Sequence, residues 1–157
     1  MNPYVPEKLP LTSIRWEDTY RERNRSLYYE RLKAISTEGD WNGWIRFFLS
    51  AVIEQAVENS QTARAILDLY DRMKKTVPDI TRSQYAIRVI DSMFDRPVFN
   101  TTDFIKFSGI PRDSGFRILN ALREKEILVA LRAGRGRQAA VLCFLELLRI
   151  TEESRVA

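Results

Sequence analysis

The tetrapeptide Ser108-Gly109-Ile110-Pro111 constrains this 157-residue chain more than any other stretch. Glycine supplies a sharp turn, and a proline with its φ already fixed suits the first turn of a helix that follows. On either side lie short apolar patterns with helical spacing. Phe104, Ile105 and Phe107 predict a helix over about 102–108, with Thr101 or Thr102 as its cap. Phe116, Leu119 and Leu122 predict one over about 112–125. Two short helices joined by so tight a turn must cross at close range, and Gly115 leaves room for the crossing.

The flanks complete an ordered series. Thr81-Arg82-Ser83-Gln84 fits a capping box opening a helix over about 82–94, which buries Tyr85, Ala86, Val89, Ile90, Met93 and Phe94. Asp95-Arg96-Pro97 stops it, and Val98-Phe99-Asn100 reads as a short strand. Beyond the third helix, Ile127–Leu131 and Ala139–Phe144 read as two strands of a hairpin around the loop Ala133-Gly134-Arg135-Gly136-Arg137. A final helical turn or two covers Glu146–Glu152. Helix, strand, helix, turn, helix, hairpin is the order of a winged helix-turn-helix. In that fold the second helix of the pair can enter the DNA major groove, with the hairpin beside it as the wing.

The N-terminal half has a different texture. Residues 1–12, with three prolines, read as an extended lead-in. Trp16, Tyr20, Leu27, Tyr28, Leu32 and Ile35 predict a helix from about Ser13 to Ile35, with arginines and glutamates on its solvated side. Gly39 suits a C-cap and Asp40 an N-cap. The helix expected at 41–58 is apolar on more than one side (Trp41, Trp44, Ile45, Phe47, Phe48, Val52, Ile53) and therefore expects several neighbours. These aromatic residues read as core, as an interaction surface, or as a face that pairs in a homodimer. Ser60 is expected to cap a third helix at about 61–76, which Val77-Pro78-Asp79 ends. The fold expected is mainly α: a three-helix N-terminal segment over 1–78, then a winged helix-turn-helix of three helices plus a β-hairpin over 79–157.

Composition narrows the chemistry. The chain has no histidine and one cysteine, Cys143, which sits in an apolar run and reads as a small buried hydrophobe. Histidine-based catalytic triads and zinc sites built on His and Cys pairs are excluded, so no catalytic residue, metal or cofactor is expected. No apolar run approaches the ~18 residues of a membrane-spanning helix. Met1–Pro6 lacks the features of a signal peptide, so the expected location is the cytoplasm.

Charge is uneven. Residues 1–80 hold 12 Lys/Arg and 12 Asp/Glu, so the net +4 of the chain lies entirely in residues 81–157. Within 112–137, seven basic residues face three acidic ones. The candidate DNA-contacting residues are Arg112, Arg117 and Arg123 on the third helix, Arg132, Arg135 and Arg137 on or beside the wing, and Lys106 on the preceding helix. Guanidinium forks suit phosphate and the guanine edge, and Gly134 and Gly136 would let the wing backbone approach a groove. Double-stranded DNA is the expected partner. The alternative is a winged helix that docks proteins or dimerises.

Three motifs in the first half carry a family resemblance. Leu9-Pro10, Tyr28-Tyr29-Glu30-Arg31-Leu32, and Gly39-Asp40-Trp41-Asn42-Gly43-Trp44-Ile45-Arg46-Phe47-Phe48-Leu49 together resemble the end of a Fic (filamentation induced by cAMP) domain. Many members follow it with a winged helix. The resemblance covers about 9–77 by motif and 81–150 by architecture. It implies kinship with enzymes that transfer AMP from ATP to a protein hydroxyl, using an HPF…GNGR motif. That motif is absent here, as is the family's inhibitory S/T-x-x-x-E-G/N helix, so the resemblance assigns no catalytic or nucleotide-binding residue to this chain. It implies instead a non-catalytic C-terminal region, whose partner is a Fic catalytic domain that would lie before residue 1.

Overall fold

The computed structural model describes residues 24–135 and 138–156, with side chains through 152. The expected lead-in, the helix start at Ser13, Trp16 and Tyr20 lie outside the described residues, as do Gly136 and Arg137. The chain divides into two compact units, Met1–Ala63 and Arg64–Ala157.

In the first unit, α1 (Arg25–Glu38) ends at Gly39, which takes the left-handed conformation (φ 69°). Helix α2 (Trp41–Thr81) opens immediately after it. Asp40 caps it as expected, its carboxylate accepting from the Gly43 amide at 2.9 Å. Aromatic edges join the two helices: Tyr28 meets Trp44 at 5.4 Å and Phe47 at 6.5 Å between ring centroids. Yet among the described residues of this unit only Ala51 is buried. One neighbouring helix covers one side of α2 and leaves the rest of its apolar surface exposed.

Helix α2 corrects two expectations. The helices expected at 41–58 and 61–76 are one continuous helix, and Pro78 lies inside it. Ser60 does not cap a new helix. Its hydroxyl donates to the Ala56 carbonyl at 2.7 Å, and Thr62 does the same to Glu58 at 3.0 Å. Bonds of this kind satisfy the hydroxyl without interrupting the helix. Pro78 removes one backbone donor, but Leu69, Met73 and Val77 are buried in the core of the second unit, and that packing holds the last turns helical.

The expected capping box does not form either. Thr81 is still in α2, its hydroxyl donating to Val77 O at 2.7 Å. Arg82 turns the chain with φ 47°, Ser83 Oγ accepts from the Tyr85 amide, and α3 begins at Ala86.

From there the order matches a winged helix-turn-helix: α3 (Ala86–Asp95), β1 (Val98–Asn100), α4 (Thr101–Ser108), α5 (Arg112–Glu124), β2 (Val129–Arg132), β3 (Val141–Cys143) and α6 (Leu145–Val156). The sheet is antiparallel in the order β1-β3-β2. Phe99 pairs with Leu142 on one side of β3, and Val129 pairs with Cys143 on the other. The protein is thus mainly helical with a small sheet. The core joins α3 (Val89, Ile90, Met93), α4 (Phe104), α5 (Ile118, Leu119, Leu122) and the sheet (Leu142, Phe144) to the second half of α2. Tyr70, Phe94 and Phe144 form a chain of edge contacts at 5.1 and 5.5 Å. Arg72 on α2 and Glu146 on α6 are 2.6 Å apart.

Candidate nucleic-acid interface

The helix-turn-helix is built on two local devices. Asn100, rather than Thr101 or Thr102, caps α4 by accepting from the Asp103 amide at 2.7 Å. At the other end Gly109 takes φ 63°, a conformation that costs a side-chain-bearing residue about 1–2 kcal/mol. Arg88, reaching from α3, donates to the Gly109 carbonyl at 3.2 Å and ties the turn to the core. Pro111 stands one place earlier than expected, as the N-cap of α5, with its carbonyl accepting from Gly115 at 2.9 Å. Gly115 is buried against Ile105, so the small residue lies where the two helices approach.

The buried row of α5 is Gly115, Ile118, Leu119 and Leu122. Phe116, expected in the core, is only half-buried, and Arg112 lies over its ring at 5.7 Å. The exposed side presents Arg112, Asp113, Arg117, Asn120, Arg123 and Glu124. Asn120 was missed in the sequence reading. Its spacing of three from Arg117 places both on one helix face, a signal readable from the chain.

On the hairpin, Arg132 and Arg135 are exposed. The wing narrows to a reciprocal pair between Arg135 and Gln138, with N–H···O distances of 3.1 and 3.0 Å. A Cβ at Gly134 would meet the backbone of Gln138 and Ala140 at 3.3 Å, so this glycine lets the two arms close on each other. The wing base is anchored where the Thr101 amide donates to Ala140 O at 3.0 Å.

The candidate cations differ in their surroundings. Among the described residues, no carboxylate lies within ion-pair distance of Arg112, Arg117, Arg123, Arg132 or Arg135, whereas Lys106 is 3.7 Å from Asp103. Arg123 lines an open groove with Glu124, Glu126 and Arg149, beside β2, so its charge is offset locally. It stands eleven residues along α5 from Arg112, roughly 16 Å at helical rise. Arg137 lies outside the described residues.

No group of three or more potential metal ligands occurs among the described residues, nor is any helix among them long and apolar enough to cross a membrane. In comparisons by sequence, no family model matches this chain and no curated protein matches it.

Proposed function

We propose that this chain binds double-stranded DNA through its winged helix, with α5 in the major groove and the β2–β3 hairpin against the backbone. The observation behind this reading is the placement of exposed arginines on the two elements such a fold presents to a duplex: Arg112 and Arg117 on α5, Arg132 and Arg135 on the hairpin. Their guanidinium groups have no carboxylate within ion-pair distance among the described residues, so DNA phosphate would be their first strong partner.

Anisotropy of a labelled duplex, titrated at two salt concentrations, tests the proposal. About four phosphate contacts give a slope of log K against log salt near −3.6, which is roughly a hundredfold loss of affinity between about 50 and 200 mM. No binding to any duplex at low salt ends the reading.

A second reading, a winged helix that docks protein, is favoured by Val129 and Leu131, which are exposed on the edge strand β2. Replacing Arg117 and Arg135 with alanine separates the two: DNA affinity falls steeply under the first reading, and association measured by light scattering is indifferent under the second.

A further inference from the structure

Helix α5 sorts its polar residues by angle. Its buried row is Gly115, Ile118, Leu119 and Leu122. At ~100° per residue, the line opposite that row carries Asp113, Arg117, Asn120 and Glu124, each within about 30° of it. All four are exposed. Arg112 and Arg123 lie together on one flank, about 90° or more from the line. There Arg112 is drawn over the Phe116 ring at 5.7 Å. Among the described residues, no cation lies within ion-pair distance of Asp113 or Glu124.

We infer that Asp113 reads cytosine, and that the duplex this helix prefers carries a C·G pair where the first turn of α5 meets the major groove. The inference rests on the DNA reading above. A helix lying in the groove turns its outermost line to the base edges and its flanks to the phosphate walls. On a flank, a carboxylate would meet phosphate and be repelled. On the outermost line it meets bases, and an ionised carboxylate only accepts hydrogen bonds. The donors that bases present in the major groove are cytosine N4 and adenine N6. Adenine N6 stands beside N7, an acceptor that repels a carboxylate, whereas cytosine N4 has no acceptor beside it on its own base. Asp113 is favoured over Glu124 because such helices contact bases through their N-terminal residues. Glu124 is the last residue of α5 and lies in the groove with Glu126 and Arg149. An acid in the first turn also suits the helix dipole, but that role carries no base preference, so experiment separates the two.

Selection from a random duplex pool with the full chain, then anisotropy on the selected duplex and on its C·G-to-T·A substitution, tests this. The wild type discriminates against the substituted pair by roughly tenfold to a hundredfold. Asp113→Ala loses that preference at this one pair: it binds the selected duplex more weakly and the substituted one no worse. Its helical circular dichroism is unchanged, because the side chain is exposed. Asp113→Asn moves the preference to adenine, since an amide both donates and accepts. A carboxylate that only repels phosphate behaves differently: Asp113→Ala then tightens every duplex alike, which overturns the inference. Salt-dependent binding by the wild type with no preferred C·G pair also overturns it, while leaving the DNA reading in place. Absence of binding to every duplex removes both.

Discussion

Gly115 on α5 and Ile105 on α4 stand so close that a Cβ at position 115 would lie 2.1 Å from Ile105 Cδ1. The obstacle is the tip of one side chain, which makes the contact testable by a cycle. Gly115→Ala gains about 1 kcal/mol of helix propensity but must displace that methyl group, and overpacking costs about 1–3 kcal/mol. The single variant is expected to unfold earlier in urea than the wild type. In an Ile105→Val background the obstructing atom is gone, and Gly115→Ala is expected to stabilise. Additivity of the two substitutions would refute the close approach.

Tyr70 donates to Asp91 at 2.7 Å and so links α2 to α3. Burial first, then the Asp91 carboxylate, push its phenol from 10 up to about 12. The folded value lies above the unfolded one, so this contribution to stability is complete below pH 10 and is lost as pH rises from 10 towards 12. In an ultraviolet titration Tyr70 is expected to ionise late, and Tyr70→Phe removes its late component. The substitution also costs about 1 kcal/mol at neutral pH through the lost hydrogen bond.

Pro78 is held inside α2 against its own preference. Alanine there restores a backbone donor towards the carbonyl four residues earlier and removes the ring, while enlarging the conformational freedom of the unfolded chain. The first effect exceeds the second, so Pro78→Ala is expected to raise stability by about 1–2 kcal/mol. Urea midpoints compared at constant m check it, and an unchanged or lower midpoint would show that the proline is needed where it stands.

On the DNA reading, the two faces of the interface differ in what they do. Arg135→Ala on the wing is expected to weaken all duplexes alike and reduce the salt slope by about 1. Asn120→Ala on α5 is expected to leave the slope unchanged and flatten preference among sequences, at about 1–3 kcal/mol for the position it reads. Selection from a random duplex pool with each variant distinguishes these outcomes.

The second half of the fold was largely legible because its punctuation is local. Pro97, Gly109 and Pro111 act through their own backbone, and β1, the tight turn and the limits of α4 and α5 fall within a residue of where those residues set them. The long helix was not legible for the opposite reason. Ser60 and Pro78 signal breaks locally, but a hydroxyl can bond backwards within a helix, and burial of Leu69, Met73 and Val77 outweighs a proline. Similarly, Thr101 and Thr102 could each have capped α4, and the choice of Asn100 depends on β1 delivering it in extended geometry, φ −86° and ψ 150°. Of the interface, the residue types were readable. The three-residue spacing of Lys106 from Asp103 on an expected helix was readable too, whereas the groove that gathers Arg123 and Arg149 with Glu124 and Glu126 required the fold.

Cys143, the one thiol in the sequence, sits buried on the central strand between β1 and β2, where burial raises its pKa and withholds the reactive thiolate. A modifying reagent can reach it only when the sheet parts. The rate at which the native protein consumes such a reagent is therefore a built-in clock for opening of the wing-bearing domain, read without any engineered label.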